Sequence, residues 1–561
     1  RYIGKAELPI VDGFDITTGR ATYGQDVRLE GMKYAVIARP PVYGGKVKSY
    51  DAADAQKVPG VLKIVALDSA AIPSAFKPLG GVAVVATNTW AAIKGREKLK
   101  IVWDDGPNAT YDSAAYRASL EAAARQPGKV VREAGDVDKA LAGAAKKIEA
   151  EYYLPHLAHA TMEPPAALAR VADGRCEAWA CVQSPQDARD LLAGVLGLAN
   201  DKVTVNVTLL GGGFGRKSKA DFVAEAALLS RAMDGKPVKV TWTRDDDLMH
   251  DFFHTVSVER LEAGLDANGK VVAWRHRSVA PTITSIFMPD PKHEAPFELG
   301  LGMADTPFDV PNLRLENPEA AAHTRIGWFR SVSNVPHAFA IQSFVAELAA
   351  AAGRDPKDFL LDLIGPARLI DADAIGTWNY GEDPKRHPID TGRWRRVIET
   401  VAKESGWGRQ LPAGRALGIA AHRSFVTYVA AVVEVEVKDG AVVVPRVDIA
   451  VDCGPQVNPE RIRSQMEGSV VQGIALATLG EITFKDGRGQ QTNFHQYQLT
   501  RMPQAPKEIR VHLVAADDYD RPLGGVGEPG VPPVAPALVN AVFAATGKRI
   551  RALPIGGQLR A

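Results

Sequence analysis

The spacing of apolar and polar positions changes period repeatedly along the chain, which predicts a mixture of strands and helices and no short repeat. Apolar runs at 34–38, 61–65 and 82–86 have the length and composition of buried strands. Asn88 stands where a helix N-cap belongs, ahead of Trp90, Ile93 and Leu99, and 101–103 returns as a strand. The stretch 107–129 is polar and alanine-rich, ends in a Gln-Pro-Gly break, and reads as a connecting segment. A second block has strand patterns at 148–153 and 203–209, helical patterns at 185–196 and 220–233, and a strand-rich stretch over 238–279. A third opens with alternation at 428–437 and 442–451. It closes on a helix at 535–546, stopped by Gly547, with Lys548 and Arg549 suited to a helix C-terminus. These patterns predict an α+β or α/β multidomain chain: a small α/β domain with its connecting segment over 1–145, then larger units over 146–410 and 411–561.

Composition narrows the function classes. The 561 residues are 46% hydrophobic and 24% charged, enough to bury several cores and hold a large cofactor between them. With 67 basic and 66 acidic residues the net charge is +1, which gives no support for a nucleic-acid or membrane-surface partner. No apolar run is long enough to span a bilayer; 531–545 is interrupted by Pro532, Pro533 and Pro536. The three cysteines, Cys176, Cys181 and Cys453, are too few for a four-cysteine iron–sulfur cluster and lack C-x-x-C spacing, so small apolar core roles are expected. Electron transfer through such clusters would need a second chain. The chain starts at Arg1 in text that already reads as folded domain, and a further upstream segment is expected.

Three segments carry candidate chemistry. Gly211-Gly212-Gly213-Phe214-Gly215-Arg216-Lys217 lies between a strand and a helix; its glycines let backbone approach a ligand, and Arg216 and Lys217 would add charge to an anion or oxo-group cradle. Gly524 to Gly530 fixes one carboxylate, Glu528, between glycines and prolines ahead of an apolar helix, where burial would raise its pKa and make it a base. Asp452 to Pro459 ends a strand and leads into a helix carrying Gln465, Glu467, Gly468, Gln472 and Gly473. Taken singly, each has a plainer alternative: a strand–helix turn, a solvated loop carboxylate, a helix packed through its glycines.

In this order, GGGFGRK, V-N-P…Q-M-E-G…Q-G and G-V-G-E-P resemble the large subunit of the xanthine oxidase family of molybdenum hydroxylases. The closing text, 525–554, and Trp328-Phe329-Arg330-Ser331 resemble its isoquinoline 1-oxidoreductase beta-subunit and bacterial molybdenum aldehyde dehydrogenase branch. The resemblance implies a hammerhead-like small domain followed by large molybdopterin-binding domains. It assigns Glu528 as the catalytic base, Gln183 as a hydrogen-bonding partner of an oxygen ligand of molybdenum, and Gly213, Phe214 and Gly215 as the loop against the metal. Arg330 would lie near metal and pterin, and Gln465 in the cofactor-binding region; no protein ligand to the metal is expected. The implied cofactor is molybdenum–molybdopterin in its cytosine dinucleotide form. The implied reaction hydroxylates an aldehyde or aromatic N-heterocycle with water-derived oxygen. Its electrons would pass to 2Fe-2S clusters on a small partner subunit, and from there to a cytochrome c subunit. The family branch implies a periplasmic location.

Departures refine this expectation. Ser218 stands where purine-acting members carry Glu, which counts against a xanthine-like substrate. Ser331-Val332-Ser333 replaces the usual Gly-Phe-Gly after the arginine. No G-Q-G-x-x-T segment is present, so a separate or cleaved N-terminal molybdopterin-binding polypeptide is expected as a partner. Competing classes are a non-catalytic cofactor-binding or assembly relative, which would not need Glu528, and a nucleotide triphosphatase, which Arg216 disfavours by standing where that loop needs Gly. Structural roles are expected for His156 and His159, and a charged turn or helix cap for Asp245 to Asp247.

Overall fold

The computed structural model describes residues 3–5, 8–514 and 519–560. Three sheets organise them. The first has seven strands in the order Val203–Val207, Arg175–Ala180, Ala166–Ala172, Val238–Thr241, Lys33–Ala38, Gly81–Ala86 and Val61–Leu67. Every residue of Gly81–Ala86 is buried, as an unbroken apolar run in a central strand requires, whereas Val61–Leu67 at the edge is largely part-exposed. This sheet runs across position 145, because Lys33–Ala38 pairs in parallel with Val238–Thr241. The small N-terminal unit therefore shares its sheet with the second block.

A second sheet orders Lys129–Ala134, Leu313–Asn317, Val271–Val279, Ser257–Leu265 and Lys146–Leu154. The stretch 107–129 is more than a connector. It forms the helix Ser113–Ala124, N-capped by Asp112, whose Leu120 and Ala124 pack with Tyr153, Val256 and Val258. The strand-rich stretch 238–279 is interrupted by the helix Arg244–Met249, where Thr243 and Asp246 form a capping box.

The third sheet, Arg415–Ser424, Thr427–Lys438, Ala441–Asp452 and Glu508–Leu513, is covered by the helices Thr391–Ser405 and Val534–Thr546. Gly418 permits the second contact: a Cβ there would lie 2.1 Å from the Ala537 carbonyl oxygen. Beside it runs Asn334–Ala351, buried continuously from Asn334 to Ala349 and mostly apolar, with buried polar residues such as His337 and Glu347 bonded to neighbouring elements. One apolar core joins the second and third sheets with these helices; another lies between the first sheet and the helices Pro185–Leu196 and Asp221–Ala232. The three cysteines are buried and unpaired. Among the described residues no single helix is long and apolar enough to cross a membrane.

Candidate active site

Three turns converge where these layers meet. The first is the glycine segment after Val203–Val207. Phe214 and Gly215 adopt φ of 55° and 106°, and a Cβ at Gly215 would sit 2.1 Å from the Trp328 carbonyl oxygen. Only glycine fits there. The second is 328–333, leading into Asn334–Ala351; the Arg330 N–H donates to the Phe214 carbonyl at 2.9 Å and ties it to the first. The third is 524–530, where Gly524 and Gly525 donate to the Cys453 and Phe425 carbonyls, each at 2.9 Å.

The structure corrects the expected anion cradle. Arg216 and Lys217 do not line it: both are fully buried on the far side of the loop. Arg216 pairs with Asp221 at 2.9 Å and Lys217 with Glu163 at 2.9 Å. Buried charges need buried partners, and the carboxylates of neighbouring elements supply them. Lys219, invisible as a candidate in the sequence, braces the loop instead. Its Nζ donates to the Gly215 carbonyl at 2.7 Å and the Trp328 carbonyl at 2.9 Å. Burial, then the nearby Arg216 charge, pushes its pKa well down.

Glu528 is held at two points by one residue. The Ser331 N–H donates to Glu528 Oε2 at 2.6 Å, and the Ser331 hydroxyl donates to the Glu528 backbone carbonyl at 2.7 Å. Ser331 needs φ of 77° to do both, a left-handed conformation at the position where glycine was the expectation. Burial raises the Glu528 pKa; the Ser331 hydrogen bond and the charges of Arg330 and Lys219 pull the other way without cancelling it. Arg330 is itself engaged at each of its three side-chain nitrogens. Its Nε donates to the Gly527 carbonyl at 2.7 Å, Nη1 to Gln472 Oε1 at 3.1 Å, and Nη2 to Gln465 Oε1 at 3.0 Å and Ser469 Oγ at 2.9 Å. Burial brings its pKa down to about 10 against the Glu528 charge.

A cavity of about 710 Å³ opens between the turns, within the range of ligand sites. All seven residues that the family resemblance assigns to the site line it: Gln183, Gly213, Phe214, Gly215, Arg330, Gln465 and Glu528. Phe297, Leu301, Trp378 and Phe425 line it too. Nothing in their local sequence marked them, because they come from a short helix, Pro296–Leu299, and from turns that only the fold brings together. The two glutamines show what the cavity suits. Gly215 N–H donates to Gln183 Oε1 at 3.1 Å, and Arg330 donates to Gln465 Oε1. Each carboxamide is thereby oriented by its oxygen, and its NH₂ is left to donate to an acceptor-rich ligand. His156 and His159 are engaged elsewhere: His159 with Asp251 and the Trp328 carbonyl, His156 with Tyr111 and the His254 carbonyl. Among the described residues no group of three or more His, Cys, Asp or Glu is placed to hold a metal ion.

Residues 122–361 and 400–506 each match a molybdopterin cofactor-binding domain family. The chain is 31% identical to isoquinoline 1-oxidoreductase subunit beta of Brevundimonas diminuta, covering 99% of this chain and 68% of that protein. The chain belongs to the xanthine oxidase family of molybdopterin-binding oxidoreductases. Another member, the membrane-bound aldehyde dehydrogenase (pyrroloquinoline-quinone) of Gluconacetobacter polyoxogenes, is also 31% identical, over 99% of this chain and 72% of that protein. The fold agrees. Quinoline 2-oxidoreductase from Pseudomonas putida 86 superposes with a TM-score of 0.81 over 100% of this chain and 98% of that one, at 16% identity. The family's two cofactor-binding domains contribute jointly to the cavity: Gln183, the glycine loop and Arg330 come from the first match, Gln465 from the second.

Proposed function

We propose that this chain is the catalytic subunit of an enzyme that oxidises an aldehyde or an aromatic N-heterocycle with water-derived oxygen, using Glu528 as the base. One observation carries the reading. Seven residues from five separate stretches of sequence line one cavity, and among them is a single carboxylate, restrained and partly buried. Gln183, Gly213 to Gly215, Arg330 and Gln465 would hold molybdopterin, which supplies two-electron redox chemistry when bound. Glu528 Oε2 is occupied by the Ser331 N–H, so Oε1 is the atom left to accept a proton. A pKa raised by burial makes it a stronger base than a solvated carboxylate. The Arg330 guanidinium fixes the backbone at Gly527 and stands by to stabilise the charged carboxylate.

The cytosine dinucleotide form of the cofactor, a small 2Fe-2S subunit, a cytochrome c subunit and a separate N-terminal molybdopterin-binding segment belong to the same proposal, as does a periplasmic location. Family resemblance supports them, and the buried, unpaired cysteines are consistent with clusters carried elsewhere. One relative's name carries pyrroloquinoline quinone. The two molybdopterin-domain matches and the paired carboxamides favour molybdopterin here. Metal analysis and cofactor extraction of native protein, combined with dye-linked oxidation of aldehydes and N-heterocycles, test the whole reading. Molybdenum with turnover is expected. Molybdenum without turnover would indicate a non-catalytic relative, and native protein free of molybdenum would sink the proposal.

A further inference from the structure

The cavity's apolar walls come from two aromatic clusters. In one, Trp328 meets Phe76 edge-on at 5.8 Å and stacks with Phe287 at 6.5 Å. In the other, Trp378 packs on Phe297 at 5.9 Å, and Tyr380 joins Trp378 to Phe425 at 5.9 and 5.1 Å. Trp328, Trp378, Phe297 and Phe425 all face the same space.

Trp328 is the most firmly set. Its indole N–H donates to Ser218 Oγ at 2.8 Å, its carbonyl accepts from Lys219, and Lys219 Nζ lies 4.6 Å from its ring centre. Ser218 in turn donates to the Gly215 carbonyl at 2.6 Å. That bond commits its only proton, so Ser218 offers the substrate no free hydroxyl donor. The cations around the loop are committed as well. Arg330 spends every nitrogen on protein acceptors, Arg216 and Lys217 pair with carboxylates, and Lys219 bonds two carbonyls. Beyond the two carboxamides assigned to the cofactor, the cavity therefore offers flat π-faces, one carboxylate and the Ser184 hydroxyl, and no unpaired cation among its described lining residues.

We propose that Trp328, oriented by Ser218 and Lys219, is a specificity-determining residue that selects an uncharged, planar aromatic substrate over a short aliphatic or an anionic one. The proposal rests on the oxidoreductase reading above and narrows it. A planar ring gains stacking on rigid aromatic walls. A short chain cannot stack, and a carboxylated ring would bury a charge beside Glu528 with no cation to pair with it.

The test uses the native, assembled enzyme with dye as acceptor and compares kcat/KM for benzaldehyde, propanal and 4-carboxybenzaldehyde. Benzaldehyde is expected to exceed each of the others by about tenfold or more. Trp328→Leu is expected to lower the benzaldehyde-to-propanal ratio about three- to tenfold, chiefly by raising KM for benzaldehyde. Ser218→Ala, which removes the indole's acceptor, should lower it in the same direction by about twofold or more. Should Trp328→Leu fail to fold, Ser218→Ala and the wild-type preference decide. Equal efficiency on all three substrates, a preference for propanal or the carboxylate, or a ratio unmoved by the variants overturns the proposal while leaving the oxidoreductase reading intact. No turnover of any of them in protein lacking molybdenum sinks that reading and this proposal with it.

Discussion

Gly215→Ala probes the site at its tightest point. Two costs follow from the geometry. A φ of 106° lies outside the region that alanine adopts readily, a strain of about 1–3 kcal/mol. The new Cβ would also begin 2.1 Å from the Trp328 carbonyl oxygen, so the loop has to retreat by about 0.9 Å to reach even 3.0 Å. That retreat moves three groups together: the Gly215 N–H that orients Gln183, the carbonyl that takes Lys219 and Ser218, and Phe214 beside it. Misplacement of about 1 Å commonly costs roughly 100-fold in rate. Gly215→Ala should therefore lose about two orders of magnitude in turnover, or lose molybdenum, while circular dichroism shows the fold retained. Gly194→Ala is the matched control. Gly194 lies within Pro185–Leu196 with open space where its Cβ would go, and alanine there should stabilise by about 0.5–1 kcal/mol with activity unchanged. The assay measures molybdenum per chain, dye-linked turnover and the thermal midpoint for both variants. A Gly215→Ala protein with molybdenum and turnover within about threefold of wild type would refute the claim that this loop positions the cofactor.

Other variants test other parts of the site. Glu528→Gln should keep its molybdenum and lose about 10²–10⁴-fold in turnover. Because the folded-state pKa of Glu528 is raised, the folded protein holds this proton more tightly than the unfolded chain, and ionisation costs stability as pH rises. Glu528→Gln should thus melt higher than wild type at neutral pH, with the gap closing below the ordinary carboxylate range; a gap that widens in acid would contradict the burial argument. For the same reason the acid limb of the kcat/KM profile should lie above that of a solvated carboxylate. Arg330→Met strips charged donors from Gly527, Gln472, Gln465 and Ser469, and should lower both molybdenum content and thermal midpoint; full occupancy would remove Arg330 from the cofactor role. Asp251→Asn tests the support beneath the loop. Burial opposes the Asp251 charge, but His159 and Arg216 outweigh it and hold its pKa down to about 2. Arg216 keeps its bidentate pair with Asp221, so losing this second counter-charge and the charged acceptor of His159 should destabilise by about 1–3 kcal/mol in chemical denaturation. The wild-type contribution is present above the ordinary aspartate pKa and fades as pH falls toward the folded value.

Period and local chemistry in the sequence were enough to place most elements. The helix Pro185–Leu196, the capped helix after Asn88 and the long hairpin of Thr427–Lys438 with Ala441–Asp452 follow from spacing, caps and alternation, which act over a few residues. Of the seven candidate residues, Gly213, Phe214, Gly215, Gln465 and Glu528 stood out within the three ordered segments, while Gln183 and Arg330 were named only by the family resemblance. What spacing does not contain is partnership across distance. The pairing of Lys33–Ala38 with Val238–Thr241, which merges the N-terminal unit into a shared sheet, joins residues some two hundred positions apart. The inward turn of Arg216 and Lys217 depends on where Asp251 and Glu163 arrive in the folded core, alongside the nearby Asp221, since a buried charge follows its counter-charges wherever the chain brings them. Glu528 shows both sides of this division. Its glycine–proline setting made it a candidate, but its two-point hold by Ser331, the anchoring of Arg330 and the aromatic walls of Trp328 and Trp378 exist only because separate loops close on one cavity.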